Sequence, residues 1–260
     1  MKNIINNIDL DDYLVNIMKS CHCLFKKKDK IFTSYKSDGS PVSNFDKNID
    51  ELIFKLLKEY DDTIKIISEE KKFSKEDFMD KVYWIIDPID GTRSFVRGEN
   101  EFTVNIALII DGHPELGVIY HPPSNKLWLG KKKNLSIYKD FIKEPSLIKK
   151  KKTWSSPNII CSRSLDNKTK EFINSIKTKK IIRLSSSLKF CYISESIANF
   201  YPRLSSINKW DIAAGHAILL ASGGELTDFS GTKIKYDFPS EIVSNFVASD
   251  IKNWKKYVKY

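Results

Sequence analysis

Apolar positions in this chain change period from one segment to the next, and each period predicts an element. In 48–60 (NIDELIFKLLKEY) Ile49, Leu52, Ile53, Leu56 and Leu57 fall on one helical face, which predicts a helix packed beneath a sheet. The short apolar runs 64–67 (IKII) and 82–86 (VYWII) predict buried strands. Residues 102–110, 115–120 and 126–130 predict a meander, turned at Asp111-Gly112 and at 121–125 (HPPSN). Helical spacing returns from Asp211 to Ser222 through Ile212, Ala213, His216, Leu219 and Leu220, and Gly223-Gly224 stops it. Between these, 158–161 and 180–184 predict strands flanking a helix over 167–178. Residues 131–156 are rich in lysine, carry Pro145 and end near Ser155-Ser156-Pro157, so they are the expected linker between lobes 1–150 and 151–260. The opening 1–20 mixes apolar residues with acids and predicts an amphipathic helix, not a signal peptide or membrane span.

Candidate chemistry concentrates at strand ends. Asp87-Pro88-Ile89-Asp90-Gly91-Thr92 follows the VYWII strand directly. Pro88 is expected to end the ladder and Gly91 to permit an unusual backbone angle, so the chain should bend and project Asp87 and Asp90 into one space. Two ionised carboxylates so close repel unless a cation lies between them, and oxygen-only donors favour hard ions such as Mg2+. The alternative is an Asp-rich surface turn. Glu69 follows the 64–67 strand and would emerge beside Asp87 if the strands are neighbours. Asp211 opens its helix either as an ordinary N-cap or as a further acid of the same site. Together the four acids suggest two cations clamping a phosphoryl transfer.

Composition narrows the classes. At 260 residues, with 29% charged and 41% hydrophobic, the chain can bury the core of a two-lobed globular enzyme. Cys21, Cys23, Cys161 and Cys191 are too few for a disulfide scaffold, and Cys21-His22-Cys23 without a second pair is a weak metal signal. His216 lies about one turn after Asp211, where it could approach the site or pack between lobes. The net charge of +10 raises a nucleic-acid reading. The lysine runs 26–28, 131–133 and 149–152 fall in expected loops without interleaved aromatics, so nucleic acid is not the expected partner. The cytoplasm is the expected compartment, with peripheral placement at the cytoplasmic face of the inner membrane allowed. Monomer and homodimer both stay open.

Ser68-Glu69-Glu70, 84–92 (WIIDPIDGT) and 210–215 (WDIAAG) resemble, in order, the three motifs of the lithium-sensitive, Mg2+-dependent phosphatase superfamily. That superfamily contains inositol monophosphatases, fructose-1,6-bisphosphatases and 3'(2'),5'-bisphosphate nucleotidases. The resemblance implies an α/β (α+β) fold, a layered αβαβα sandwich. It implies Mg2+, two or three per site, with Li+ as inhibitor. Glu69, Asp87 and the Ile89 carbonyl would hold one Mg2+, and Asp87, Asp90 and Asp211 a second, with Glu69 reaching a looser third through water. Gly91 and Thr92 would offer backbone N–H groups to the phosphate. The Thr92 hydroxyl, paired with Asp46, would orient and help deprotonate the attacking water. Asp46 sits in 38–46 (DGSPVSNFD), similar to the family's early segment except that Ser43 replaces threonine and Phe45 a small residue, which is expected to shift the loop. Direct in-line attack by water follows, with no role for a cysteine.

Substrate class rests on further likeness. Residues 101–109 (EFTVNIALI), 186–191 (SSLKFC), Tyr201-Pro202-Arg203 and Trp210-Asp211 resemble the CysQ-type nucleotidases. Ser186, Lys189 and Arg203, with Asp211, would then contact nucleotide phosphate or ribose. Arg93-Ser94-Phe95-Val96-Arg97 matches neither the Thr-Asn-Phe-Val-His of inositol monophosphatases nor the Lys-Glu-Phe of the CysQ group. Leu165 stands where that group has histidine. The expected reaction removes the 3'-phosphate of adenosine 3',5'-bisphosphate to give AMP. Inositol monophosphatase or a related sugar phosphatase is the alternative, and a non-catalytic cation-binding module a third reading.

Overall fold

The computed structural model describes residues 8–27, 30–140, 146–147, 157–176, 178, 180–251 and 254–257. Helix α1 (Ile8–Lys26) leads to the hairpin β1 (Thr33–Tyr35) and β2 (Pro41–Ser43), then to α2 (Asn44–Tyr60). Next come β3 (Lys65–Ser68), β4 (Val82–Asp90), the short α3 (Thr92–Val96) and β5 (Thr103–Ile110). β6 (His113–His121), β7 (Lys126–Lys131), β8 (Asn134–Tyr138) and β9 (Ser146–Leu147) complete a seven-stranded sheet ordered β3-β4-β5-β6-β7-β8-β9. The rest of the chain supplies β10 (Asn158–Cys161), α4 (Asn167–Asn174), β11 (Lys180–Arg183), α5 (Leu188–Ser194), β12 (Phe200–Arg203) and β13 (Ile207–Asn208). It continues with α6 (Trp210–Ala221), β14 (Glu225–Thr227), β15 (Ile242–Val243) and β16 (Phe246–Ser249). A five-stranded sheet runs β11-β10-β12-β16-β14.

Strand alternation builds the layers. Trp84 and Ile86 of β4, with Val104, Ile106 and Leu108 of β5, pack against Leu14 and Met18 of α1 and Ile49, Ile53 and Leu57 of α2. Their neighbours Tyr83, Ile85, Ala107 and Ile109 face the other way, onto α5 and α6 and onto Ile160, Tyr201, Leu226 and Phe246 of the second sheet. The far face of that sheet, Ile159, Cys161, Phe200 and Val247, packs on Ile173 of α4 and on Trp254. The order helix, sheet, helix, sheet, helix is the expected αβαβα sandwich. Helix α6 is apolar all round because it is covered on both sides, as a helix in a middle layer must be. It lies unusually close to the first sheet. A Cβ on Gly117 of β6 would sit 2.4 Å from the Ala214 carbonyl oxygen, and one on Gly130 of β7 would sit 2.6 Å from Ile218 Cα.

Three expectations are corrected. The strand does not end at Asp87: β4 runs on through Pro88 to Asp90, pairing Asp87 with Asn105 and Asp90 with Thr103 across a register shift. The irregularity is what admits a proline, since no regular ladder bond is asked of it there. Asp211 is not an N-cap; α6 starts at Trp210 with Lys209 in the cap position, which leaves the Asp211 carboxylate free for other work. The proposed linker 131–156 begins as structure, because β8 pairs with β7 around a tight turn at Lys132-Lys133. Its remaining markers, Pro145, Lys149–Lys152 and Ser155-Ser156, lie outside the described residues, as do Lys28, the lobe boundary at 150/151 and residues 1–7.

Candidate active site

β3 and β4 are parallel neighbours with Ser68 beside Ile86, so Glu69 leaves β3 at the level where β4 presents Asp87. The Glu69 N–H donates to the Ile86 carbonyl at 3.3 Å, which fixes that exit. Asp211 arrives from the first turn of α6. One carboxylate oxygen from each of Glu69, Asp87 and Asp211 lies within 4.8 Å of the others. Asp90 does not share that grouping; Asn105 Nδ2 donates to its Oδ2 at 3.5 Å. It is still near enough to help raise the pKa of Asp87 and Asp211.

The electrostatics are those of a site built for a cation. Burial pushes the Asp87 carboxyl far up, and Glu69, Asp90, Asp211 and Asp46 push it further. Asp211 is raised in the same way, by burial and then by Asp90 and Glu69. Burial raises Asp90 as well, held back by Lys189 and by hydrogen bonds from the Ser187 N–H and Asn105. Most telling is Asp87 itself: it is 1% exposed, and among the described residues neither carboxylate oxygen has a hydrogen-bond partner. Buried polar atoms are nearly always satisfied, and an ionised carboxylate left bare costs several kcal/mol. A hard divalent ion held by these all-oxygen donors removes that cost, so the residues fit Mg2+.

A second constellation flanks the acids. Asp46 lies in the first turn of α2, in a capping box with Ser43. The Ser43 N–H donates to Asp46 Oδ2 at 2.7 Å and the Ser43 hydroxyl to the same oxygen at 2.5 Å, which holds the carboxylate in place. The Thr92 hydroxyl lies 2.9 Å from Asp46 Oδ1 and 2.9 Å from the Ile89 carbonyl oxygen. Burial raises the Asp46 pKa against the lowering effect of its Ser43 and Thr92 bonds. Phe45 packs with Phe25, Phe95 and Phe102 and joins Ile89 in a small core, so the departure at this position is absorbed by aromatic packing behind the site. Gly91, at φ +96°, is the cap of α3, and a Cβ there would lie 2.6 Å from the Glu101 carbonyl oxygen. Only glycine meets both conditions.

A cleft of about 770 Å3 opens from Asp90 and Asp211. Lys189, Ser186 and Arg203 line it. Lys189 is buried and donates to the Leu184 carbonyl at 3.3 Å and to that of Ser186. Arg203 donates to the carbonyls of Ser205 at 3.3 Å and Ser206 at 3.1 Å, and to Ser162 Oγ at 3.4 Å. Ser186 has φ +58°, a strained angle outside glycine that turns the chain into the cleft.

Several participants have no periodic signal in the sequence. Lys36, from the loop of the β1–β2 hairpin, donates to Glu69 Oε1 at 2.6 Å and Glu70 Oε1 at 2.7 Å. Burial works against its ammonium, but the two glutamates more than offset this and its pKa is raised. Thr103, Ser187 and Asn105 form a hydrogen-bonded chain behind Asp90, with Ser187 Oγ donating to Asn105 Oδ1 at 2.8 Å. Glu101 takes a forked ion pair from Arg163 and an N–H from Ser185 at 2.8 Å, tying the two sheets together at the cleft rim. His216 is not at the site. It is buried on α6 with Nδ1 3.3 Å from the Tyr236 hydroxyl, and burial pushes its pKa down to about 3. The Cys21-His22-Cys23 stretch lies on α1 with Cys21 buried and Cys23 exposed, and among the described residues it belongs to no metal-binding cluster.

The chain has close relatives. The model of the inositol monophosphatase family matches residues 15–258. The 3'(2'),5'-bisphosphate nucleotidase CysQ of Buchnera aphidicola subsp. Acyrthosiphon pisum is 38% identical, over 94% of this chain and 96% of its own. The protein of the same name from Escherichia coli K12 is 34% identical over 77% of this chain and 81% of its own. Among solved structures, CysQ from Bacteroides thetaiotaomicron superposes with a TM-score of 0.76 at 26% identity, covering 92% of this chain and 93% of that one. No described helix is long and apolar enough to cross a membrane.

Proposed function

The chain belongs to the inositol monophosphatase family, and we propose that it is a 3'(2'),5'-bisphosphate nucleotidase, releasing the 3'-phosphate of adenosine 3',5'-bisphosphate to leave AMP. The observation that carries this is Asp87, its two buried oxygens bare among Glu69, Asp90 and Asp211, at the head of a cationic cleft. Glu69, Asp87, Asp90, Asp211 and the Ile89 carbonyl would hold two Mg2+ ions, with a third more loosely at Glu69. Bound Mg2+ neutralises the phosphoryl oxygens that otherwise repel a nucleophile, and Li+ competing at one position would inhibit.

The residues of the chain do the rest. Thr92 Oγ1, whose proton can point to Asp46 or to the Ile89 carbonyl, keeps a lone pair for the proton of an attacking water. As the water oxygen bonds to phosphorus, that proton passes to Thr92 and the hydroxyl proton to Asp46, whose burial makes it readier to accept. The ester P–O bond breaks in line on the opposite side, and the leaving 3'-oxygen takes its proton from solvent. The Gly91 and Thr92 amides orient the phosphate before attack. No thiol takes part: Cys21, Cys161 and Cys191 are buried with raised pKa, and the exposed Cys23 lies on α1, outside the lining of the cleft. Ser186, Lys189 and Arg203 hold the nucleotide, whose charge matches a cleft richer in arginine and lysine than an uncharged inositol ring requires.

Phosphate release in Mg2+ from adenosine 3',5'-bisphosphate, myo-inositol 1-phosphate and fructose 1,6-bisphosphate tests the substrate. The first should lead in kcat/KM by well over an order of magnitude. A wide preference for the inositol ester would reject the assignment.

A further inference from the structure

Arg93 and Arg97 remain without a role, and their surroundings give them one. They stand four residues apart at the two ends of α3, so their side chains leave the same side of one helical turn. That turn is fixed, since the Arg97 N–H donates to the Arg93 carbonyl at 3.3 Å and the Phe95 N–H to the Gly91 carbonyl at 3.0 Å. It is also indexed to the reaction centre, because Arg93 follows Asp90 by three residues and Thr92 by one. Both arginines line the cleft together with Ser162 and Ser164, just beyond β10, and Ser185, just beyond β11.

What separates them from the other cations of the cleft is availability. The Arg163 fork is closed on Glu101. Lys189 gives bonds to two carbonyls, and Arg203 to two carbonyls and a hydroxyl, so each keeps only part of its donors for the nucleotide. Neither guanidinium of Arg93 or Arg97 makes a hydrogen bond or ion pair among the described residues. The nearby acid of the rim, Glu99, accepts from Ser94 Oγ at 2.8 Å. Two uncommitted planar forks beside a site that needs only one phosphate at its metals call for a second anion.

We propose that Arg93 and Arg97 form a clamp for the phosphate that is not cleaved, making the enzyme select bisphosphorylated over monophosphorylated nucleosides. The assignment rests on the nucleotidase reading and deepens it, by placing recognition of the second charge on α3. The clamp carries no proton and forms no bond to the reacting phosphorus. Its contribution is binding and alignment.

The test compares wild type with R93Q/R97Q on adenosine 3',5'-bisphosphate and on adenosine 3'-monophosphate in saturating Mg2+. The ratio of kcat/KM between the two substrates should narrow by on the order of 10- to 100-fold in the variant, through KM, as loss of charge-assisted contacts predicts. Calorimetric titration gives a second readout. Wild type should bind AMP more tightly than adenosine by a similar factor, and the variant should bind them alike. R93K/R97K, which keeps the charge without the fork, should recover part of both effects. An unchanged ratio, an equal loss on both substrates, or no recovery with lysine would overturn the clamp. A wild-type protein that leaves the bisphosphate intact would remove the nucleotidase reading, and the AMP titration would still decide the arginines.

Discussion

Replacing Asp87 by asparagine should make the metal-free protein more stable while destroying its activity. The three oxygens of Glu69, Asp87 and Asp211 lie within 4.8 Å of one another. At an effective dielectric near 20, each pair of full charges at that distance repels by about 3.5 kcal/mol. Asparagine at 87 removes two of the three pairs and adds a donor that can satisfy one neighbouring carboxylate. Proton uptake by the wild-type cluster and help from Lys36 relieve part of the repulsion, so a gain of about 1–3 kcal/mol is expected at pH 8. The sign with pH follows from the raised folded-state pKa values of Glu69, Asp87 and Asp211. The folded protein holds protons there that the unfolded chain releases, so metal-free stability falls as pH rises through the folded values. The advantage of D87N should therefore shrink toward pH 5. Urea unfolding of chelator-treated proteins at pH 8 and pH 5 measures it, and added Mg2+ should reverse the ranking, since the wild type gains RT ln(1 + [L]/Kd) and the variant far less. A metal-free D87N that unfolds at lower urea than wild type at pH 8 would refute the reasoning.

Thr92→Ala and Asp46→Asn should each lower kcat by about 10²–10⁴ with little change in KM, and the double variant should fall little further, because the two act as one relay. Steady-state kinetics on all three decides this; independent, multiplying losses would break the pairing. Gly91→Ala forces a Cβ to within 2.6 Å of a backbone oxygen at φ +96°, and should cost at least about 2 kcal/mol in thermal unfolding together with most of the activity. His216 is held neutral, with a folded pKa of about 3 against 6.5 when free. Stability is therefore complete above pH 6.5 and lost as pH falls toward 3, by about 2 kcal/mol at pH 5. The difference in urea midpoint between H216Q and wild type should shift in favour of the variant on acidification, and a difference independent of pH would contradict the burial.

The sequence carries the acids and most of the elements because both are local signals. Strands 64–67 and 82–86, the meander and the helix at 211–222 are written in runs and turns of a few residues, and apart from the extension of β4 to Asp90 they appear within a residue or two of where expected. What escapes is set by partners distant in the chain. Lys36 meets Glu69 across 33 residues and Glu101 meets Arg163 across 62, and neither spacing leaves a period to read. β8 hides behind Lys131-Lys132-Lys133, where a hairpin turn and a linker look alike. Pro88 breaks a regular ladder but is tolerated at a bulge, and the bulge has no local signal. Asp211 reads equally as a cap or as a site acid, because the start of the helix at Trp210, with Lys209 as its cap, is set by the fold around it.

The close seam between α6 and the first sheet limits how this enzyme can work. With glycine at both crossing points there is no slack for the middle helix to slide or tilt, so Asp211 is delivered to the acid cluster as part of a stiff frame. Any adjustment around substrate is then confined to the periphery, to the Lys36 hairpin and the Glu101–Arg163 ion pair. Adding one methyl group at Gly117 or Gly130 would act like a shim under a bearing, displacing a ligand from behind without touching anything a substrate meets.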